Sequence, residues 1–397
     1  MKEEIQRESE VVVIGGGIIG VATAYYLTKQ GKEVVLIEKN EVGSEASGAN
    51  VTFCTLSSGG DRLLHYFTAK SIAEYMKIDD SMELGHDIEF NRLGLLILIE
   101  TERSLELWKE CLEERQEFSP EDRIVSGEEL VELEPNLSPT VKWGLYSPLG
   151  GHINCLYLVT SMADKAKELG AKVYEYTKAL DIKVEDGHVK SVVTEKGEIK
   201  AGYIVNAAGR WAPEIGQMVG LKLPITSERH QVLVTEMLDR KLINRHIISG
   251  AYREATLLPP EQRRALEETT FLCTNEDKGN LLLGISGDPA TEDKRVTFIS
   301  FRDICEQAIK YLPILKELRV NIIRSFANHY ANTPDRHPIL GPVERLDGFI
   351  LACGMNDYGF QQGAIVGKVI SEIICFGETL SIPAEIMKQT SLSRFFK

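Results

Sequence analysis

Near its beginning the chain passes from an uninterrupted apolar run to a stretch with helical periodicity and back again. The run "VVVI" at residues 11–14 leads through glycines into "IIGVATAYYL", and Gly31 separates that stretch from a second run, "VVLIE". Uninterrupted apolar runs of this length are typical of parallel strands buried on both faces. The periodic stretch predicts a helix that ends near Gln30. Together these segments predict a complete βαβ unit.

A second unit of this kind lies near the other end of the chain. The apolar run "GFILA" is followed by "CGMNDYGFQQGAIVG" at residues 353–367 and then by "KVISEIICF". This order predicts a strand, a glycine-rich turn and a helix. Both ends of the chain are therefore predicted to contain a strand, a glycine-rich turn and a helix in that order.

The chain between these units mixes helices and strands. Apolar periodicity predicts helices over about residues 57–78, 101–117, 126–134 and 301–310, while "IEFNRLGLLILIE" predicts a strand, a turn and a strand. Further strands are predicted at "KVYEY", in a hairpin around Asp186-Gly187, at "YIVNAAG", and at "HQVLVTE" and "NLLLGIS" after residue 223. The polar, proline-containing segment 253–270 is expected to be a surface loop or a lid.

Composition narrows the class of protein. The 397 residues are 43% hydrophobic and 26% charged, with a net charge of −14. These values are typical of a globular protein, and the negative charge disfavours nucleic acid or an anionic membrane as a partner. We expect no signal peptide and no membrane span, because the N-terminus is polar and the longest apolar stretch is broken by glycines. The seven cysteines are scattered, so we expect no metal site and a reduced, cytoplasmic protein.

The first glycine turn carries the most specific chemical signal. Gly15-x-Gly17-x-x-Gly20 follows a strand and opens a helix, and Glu38 ends the next strand. Gly15 permits the tight turn, Gly17 lets backbone approach a pyrophosphate, and Gly20 lets helix and strand pack closely. A carboxylate at the end of the second strand accepts hydrogen bonds from ribose hydroxyls and repels a 2′-phosphate. The sequence therefore predicts a dinucleotide site.

These motifs resemble the D-amino-acid oxidase superfamily, and the resemblance covers nearly the whole chain. Five separated segments carry it in the family's order: "VVVIGGGIIGVATAYYLTKQGKEVVLIEK", "GSEASGAN", "VNAAGRWAPEIG", "TPDRHPILGP" and "GFQQGAIVGKVISE". The branches that look most similar are glycine oxidase, sarcosine oxidase, dimethylglycine dehydrogenase and the proline dehydrogenase β subunit. Such a protein would bind FAD and oxidise the C–N bond of a small amino acid, with hydride transfer from the α-carbon to flavin N5 and hydrolysis of the resulting imine.

The resemblance implies an α/β fold with two parts. A Rossmann-type FAD-binding domain would be assembled from residues 1–80, 145–222 and 320–397, and a strand-rich α+β substrate domain from residues 81–144 and 223–319. The implied FAD contacts are Gly15, Gly17, Ile18, Ile19, Gly20, Glu38, Lys39, Gly43, Ser44, Ser47, Gly48, Asn50, Val173 (through its backbone, to adenine), Ala207, Gly209, Trp211, Gly354, Gly359, Phe360 and Gln361.

Departures from the family's pattern concern the substrate. Glycine-oxidase-like members carry an arginine that clamps the substrate carboxylate at the position of Tyr330, whereas the branches acting on secondary or tertiary amines resemble this chain there. Gln361 replaces a lysine of monomeric sarcosine oxidases. Asn328 stands where those enzymes attach FAD through cysteine, so FAD is expected to be noncovalent. The resemblance therefore favours a secondary amine similar to sarcosine, dimethylglycine or proline.

Candidates for catalysis are Tyr330, Tyr358, His329 and Tyr252. A histidine or tyrosine is suited to accept or relay the amine proton, but His329 is equally consistent with a structural histidine, and packing is the commoner role for a tyrosine such as Tyr252. Two alternatives stay open: a dehydrogenase subunit that passes electrons to a partner, and a related enzyme that oxidises the C–O bond of a hydroxy acid. A small amino acid is the expected substrate, and a homo-oligomer or an electron-accepting subunit is the protein partner to be considered.

Overall fold

The computed structural model describes residues 5–56, 61–256, 270–276, 278–289 and 293–396. Two eight-stranded sheets and a two-stranded ribbon account for the strands in these ranges. The mixed α/β architecture is the one predicted from the sequence. Among the described residues, every helix is too short or too polar to cross a bilayer.

The first sheet contains both glycine units. Its strands run in the order β17-β18-β10-β11-β1-β2-β8, with β9 paired to β10. β1 lies between β2 and β11 and is parallel to both, and β18 is parallel to β11. The strands are β1 (Glu8–Ile14), β2 (Val34–Ile37), β8 (Lys172–Tyr174), β9 (Ala179–Glu185), β10 (His188–Thr194), β11 (Gly197–Asn206), β17 (Ile339–Val343) and β18 (Leu346–Cys353).

Two of the helices on this sheet begin at the glycine turns and pack against each other. Those two are α1 (Ile18–Lys29) and α10 (Gly359–Phe376), and a Cβ added at Gly367 would lie 2.5 Å from the Cβ of Ala22. The glycines of α10 therefore permit a close crossing that brings both helix N-termini to one side of the sheet. The other helices of this half are α2 (Arg62–Asp80), α5 (Cys155–Glu168), α6 (Ala212–Met218) and α11 (Ala384–Lys388).

The second sheet has the order β16-β12-β15-β14-β13-β4-β6-β5. Its strands are β4 (Leu95–Ile99), β5 (Arg123–Ser126), β6 (Trp143–Ser147), β12 (Thr226–Thr235), β13 (His246–Ser249), β14 (Leu272–Asn275), β15 (Leu281–Pro289) and β16 (Ile322–Asn332). Its helices are α3 (Glu102–Gln116), α4 (Gly127–Leu133), α7 (Ala251–Thr256), α8 (Phe298–Tyr311) and α9 (Ile314–Glu317). The ribbon consists of β3 (Phe53–Thr55) and β7 (Gly150–His152).

The structure changes three details of the sequence interpretation. β16 pairs with β12 in the second sheet, so residues 322–332 belong with the substrate half and not with the segment 320–397 to which they were assigned. The first strand expected in "IEFNRLGLLILIE" is absent, because only β4 forms there. The helix expected from residue 57 begins at Arg62, where the Asp61 carboxylate accepts hydrogen bonds from two backbone N–H groups. The expected loop or lid lies mostly outside the described residues, at 257–269.

Candidate cofactor and substrate site

A long cleft of about 1550 Å³, counting its open mouth, runs along the carboxyl ends of β1, β11 and β18. Ligands of open α/β sheets bind at this edge. The cleft is lined by residues 14, 15, 17–19, 37–39, 45–47, 50, 51, 53, 177–179, 207–211, 214, 215, 218, 328–331, 352–357 and 359–361. We call the part near the turn before α1 the α1 end, and the part near the turn before α10 the α10 end.

At the α1 end the glycine fingerprint is held by close backbone contacts. Gly15 has φ +118°, and a Cβ there would lie 2.4 Å from the carbonyl oxygen of Ala207. A Cβ at Gly20 would lie 1.8 Å from the carbonyl oxygen of Gly15, so helix and strand meet without side chains between them. Gly17 caps α1, and the Ile18 N–H donates to Ser47 Oγ at 2.9 Å. Gly15 thus occupies a tight turn and Gly20 a close contact between helix and strand, and the approach of Gly17 to a pyrophosphate stays a prediction.

Glu38 follows β2 and faces this turn. Its Oε2 accepts a hydrogen bond from the Gly16 N–H at 2.6 Å, and its Oε1 accepts one from the Asn40 N–H at 2.8 Å. Backbone donors therefore fix the carboxylate at the cleft. Each carboxylate oxygen accepts more than one hydrogen bond, so capacity remains for the hydroxyls of a ribose.

The resemblance implies that the backbone of Val173 contacts the adenine of FAD, but other residues form the cleft wall beyond Glu38. Val173 lies inside β8, where β8 pairs with β2, and it does not line the cleft. Thr177, Lys178 and Ala179 form this wall instead, at the start of β9. The segment is anchored because the Thr177 N–H donates to the backbone oxygen of Glu38 at 2.7 Å.

Two cations lie close to the Trp211 ring at this end. The Lys39 ammonium lies 2.9 Å from its ring centroid, and the Arg210 guanidinium lies 3.9 Å from it. Burial lowers the pKa of Lys39. An aromatic ring with a planar guanidinium beside it provides a surface on which a flat heterocycle can stack.

Four of the predicted cofactor residues support the cleft and do not line it. Gly20 acts in helix packing as described above. A Cβ at Gly48 would lie 2.2 Å from the carbonyl oxygen of Gly43, whose own N–H donates to Gly16. Ser44 is exposed in the same turn. These residues shape the loop that carries Ser47 and Asn50 to the cleft.

The α10 end is built around the second glycine turn. Gly354 has φ +66°, and Gly354, Gly359, Phe360 and Gln361 line the cleft. Tyr358 does not: it is 2% exposed and packs in the hydrophobic core behind the turn. Neither α1 nor α10 has an acidic residue in its first turn, so both N-termini retain their positive dipole ends.

Asn356 joins the second glycine turn to the second sheet. Its N–H donates to the carbonyl oxygen of Ala331, and its Oδ1 accepts from the Thr333 N–H at 2.9 Å. Its φ of +52° is a value that asparagine tolerates better than most residues. This connection fixes the end of β16 beside the turn before α10.

Tyr330 projects from β16 into a mixed electrostatic setting. Its ring stacks on His230 with centroids 4.0 Å apart, and Glu228 lies directly opposite it in the strand register. Burial, then the carboxylates of Asp357 and Glu228, raise the pKa of the Tyr330 hydroxyl. The hydroxyl therefore stays protonated near neutral pH and is able to donate a hydrogen bond.

Glu228 is an ionised neighbour of this tyrosine. Its Oε2 accepts from Asn332 Nδ2 at 2.7 Å and lies 3.5 Å from His230 Nε2. Burial would raise its pKa, but the interactions with His230, Arg336 and Asn332 lower it overall. Arg336 also pairs with Asp357 at 3.0 Å. At the α10 end the described lining residues, 328–331, 352–357 and 359–361, include no lysine or arginine.

The remaining catalytic candidates have different positions. His329 is 2% exposed and pairs in register with Arg229, and the alternation of β16 places it on the opposite face from Asn328 and Tyr330. The side chain of Tyr252 lies outside the described part of the structure. Among the catalytic candidates whose side chains the structure describes, Tyr330 is the one whose surroundings suit substrate binding.

Sequence reasoning missed several cleft residues. Residues 177–179 follow a strand end, but their wall depends on where β9 begins. Asn356 and Asp357 lie inside a motif quoted for its glycines, and the turn-favouring pair "ND" was an available signal. Glu228, which does not line the cleft but neighbours Tyr330, carries no local signal, because only the pairing of β12 with β16 brings it opposite Tyr330.

The residues present fit a flavin dinucleotide. The cleft offers two helix N-termini, a ribose-binding carboxylate and a stacking surface, and glycines with no room for a Cβ let the backbone reach it. Gly15, Gly17, Ser47 and Glu38 would hold the pyrophosphate and ribose. Gly354 and residues 359–361 would contact the flavin ring. Within the described residues no group of three or more His, Cys, Asp or Glu side chains is arranged to hold a metal ion.

Comparison with known proteins identifies the family to which the chain belongs. The model of the family "DAO: FAD dependent oxidoreductase" matches residues 10–373. Human mitochondrial dimethylglycine dehydrogenase is 30% identical over 389 residues, which are 93% of this chain and 43% of that protein. Glycine oxidase of Geobacillus kaustophilus is 25% identical and matches 93% of this chain and 94% of its own length. The chain thus spans less than half the length of its dimethylglycine dehydrogenase relative.

A solved structure agrees over the whole chain. The crystal structure of L-proline dehydrogenase from P. horikoshii superposes with a TM-score of 0.85 at 30% sequence identity and covers 99% of both chains. This similarity extends through both sheets and therefore includes both ends of the cleft.

Proposed function

This chain belongs to the DAO family of FAD-dependent oxidoreductases acting on amino acids or amines, and we propose that its own substrate is a small secondary amino acid oxidised at the C–N bond. The substrate would be similar to sarcosine, dimethylglycine or proline. FAD, held by Gly15, Gly17, Ser47 and Glu38, would supply the redox chemistry as a hydride acceptor. The chain's own residues must bind the substrate, orient it and exclude water.

Tyr330 is the observation on which this proposal depends. Its hydroxyl stays protonated and lines the α10 end, where no lysine or arginine is found among the described lining residues. A substrate carboxylate would therefore be held by neutral donors, which bind it less strongly than a guanidinium does. Affinity must then come from other contacts, and an N-alkyl group or a ring supplies apolar surface that glycine lacks.

The amine end of the substrate has an electrostatic counterpart. The carboxylates of Glu228 and Asp357 lie near Tyr330 and influence its pKa. A protonated amine would be attracted to these carboxylates, which Arg336 partly balances, and it must lose its proton before hydride transfer. We assign this proton transfer to no single residue, and Tyr330 with its raised pKa is a poor base.

Turnover on a panel of substrates tests the proposal. We expect kcat/KM to be about tenfold or more higher for sarcosine, dimethylglycine, L-proline or hydroxyproline than for glycine and D-alanine. A 2-hydroxy acid serves as the control for C–O oxidation and should give no turnover. Equal or better turnover of glycine or D-alanine would contradict the assignment of a secondary amine.

The electron acceptor is a second question, and the names of the relatives favour one answer. The two relatives at 30% identity are dehydrogenases, whereas the glycine oxidase is 25% identical. We therefore propose an acceptor other than oxygen, including a partner subunit. Turnover should be faster with an artificial dye than with oxygen, and hydrogen peroxide formed at the full turnover rate would exclude this proposal. Noncovalent attachment of FAD stays a prediction, and release of FAD on acid precipitation tests it.

A further inference from the structure

Thr52 adopts a strained backbone conformation directly beside the cleft. It is 4% exposed and has φ +61°. β-Branched residues rarely occur in the left-handed region, because the branched side chain crowds the backbone there. Residues in such conformations persist only where their surroundings hold them, and they are common at functional sites.

The strained residue connects two parts of the cleft wall. Asn50 and Val51 precede it, Phe53 follows it, and all three line the cleft. The Thr52 N–H donates to Asn50 Oδ1 at 2.6 Å, and its carbonyl oxygen accepts from the Ile153 N–H at 3.1 Å. The turn at Thr52 therefore decides how these three side chains meet a bound cofactor.

His152 supports Thr52 from behind the wall. Its Nδ1 lies 2.6 Å from Thr52 Oγ1, and its Nε2 lies 3.6 Å from Glu276 Oε2. The Thr52 hydroxyl donates to the carbonyl oxygen of Val51 at 2.7 Å, so its oxygen is left to accept a hydrogen bond from His152 Nδ1–H. His152 is fully buried, and burial lowers its pKa to about 4, so the ring is neutral near pH 7.

Contacts on both sides fix the histidine ring. β7 pairs with β3, with His152 opposite Phe53. From the second sheet, the ring of His246 stacks on His152 with centroids 6.1 Å apart and meets the edge of Phe53 at 5.0 Å. The ring therefore links the second sheet to the wall formed by residues 50–53.

We propose that His152 is a positioning residue that holds Thr52 in its strained turn and thereby sets the cofactor-facing wall formed by Asn50, Val51 and Phe53. The role depends on the flavin common to the family and not on the substrate proposed above. His152 does not line the cleft and acts through Thr52. Failure of the substrate proposal would leave FAD affinity unchanged, so the two ideas can be distinguished.

Three substitutions of Thr52 separate the contribution of its hydroxyl to FAD affinity from the contribution of its strained backbone. Thr52→Val keeps the branched shape and removes the hydroxyl, and we expect the Kd for FAD to rise about tenfold. Thr52→Ser keeps the hydroxyl, and affinity should stay within about twofold. Thr52→Gly loses the hydroxyl but adopts positive φ without support, so its Kd should rise by about threefold at most. The measurement is fluorescence titration of the apoprotein with FAD, together with the visible circular dichroism of the bound flavin.

A second-site rescue tests the part played by His152. His152→Leu should weaken FAD binding about tenfold, and adding Thr52→Gly should restore it to the level of the single glycine variant. A merely structural loss at His152 would not be repaired in this way. Wild-type affinity in Thr52→Val would overturn the proposal, as would a double variant no better than His152→Leu. If His152→Leu does not fold, the Thr52 series alone decides.

Discussion

The two ends of the cleft are built by different means. At the α1 end the decisive contacts involve backbone: Gly15 against Ala207, Gly20 against Gly15, and N–H groups that fix Glu38. At the α10 end the character of the site comes from side chains on β12 and β16, such as Tyr330, whose neighbours come from distant parts of the chain. The first arrangement suits a constant cofactor, and the second allows the substrate to change while the cofactor stays.

The largest expected effect comes from a substitution in the glycine turn at the α1 end of the cleft. Gly15→Ala forces a Cβ into the carbonyl oxygen of Ala207 at a φ of +118°. We expect FAD affinity to fall by about 100-fold or more, which corresponds to ~3 kcal/mol. Isothermal titration of the apoprotein with FAD measures it.

Gly31→Ala is the matched control for that experiment. Gly31 also has positive φ, at +83°, but no atom lies within 4 Å of an added Cβ. This variant should lose about 1 kcal/mol of folding free energy and keep its FAD affinity. Equal loss of FAD affinity in both variants would show that general strain, and not the contact with Ala207, explains the first result.

A second effect concerns the wall between the two ends. His152 has a folded-state pKa of about 4, below the ordinary value of 6.5, because it is buried. Between these values the unfolded chain binds the proton and the folded chain does not. The contribution of this group to the free energy of unfolding is therefore complete above pH 6.5 and falls by about 3 kcal/mol as the pH drops to 4.

Denaturation with urea at several pH values between 4 and 7 measures this contribution. Carboxylates also titrate in this range, so the comparison is between the wild type and His152→Gln. The variant should show a flatter dependence of its free energy of unfolding on pH. Parallel curves for the two proteins would mean that His152 titrates normally.

A smaller effect is expected from a side-chain substitution at the α10 end of the cleft. Tyr330→Phe removes a hydroxyl that would donate to the substrate carboxylate, and we expect KM to rise about tenfold to 100-fold. FAD affinity should not change, because the α1 end is intact. Tyr358→Phe is the control, since Tyr358 lies behind the wall of the cleft. Loss of FAD affinity in Tyr330→Phe would contradict the division of the cleft into two independent ends.

The same division explains what could be predicted from the sequence. The glycine turns, Glu38 and the α/β fold were predictable because steric rules act over a few neighbouring residues. Val173 lies inside β8 and is not among the cleft-lining residues, because strand pairing, not local composition, decides where a backbone is exposed; its contact with adenine stays a prediction. The membership of β16 in the second sheet and the position of Glu228 opposite Tyr330 depend on cross-strand register, which one sequence does not reveal.

The most direct test of the account is anaerobic reduction of the bound flavin. The purified holoenzyme is mixed without oxygen with sarcosine, dimethylglycine, L-proline or hydroxyproline, and in parallel with glycine, D-alanine and a 2-hydroxy acid, while the visible flavin band is followed. We expect rapid bleaching by at least one member of the first group and none by the hydroxy acid. Bleaching by glycine or D-alanine alone would contradict the role given to Tyr330, and absence of a flavin spectrum would contradict the assignment of the cleft itself.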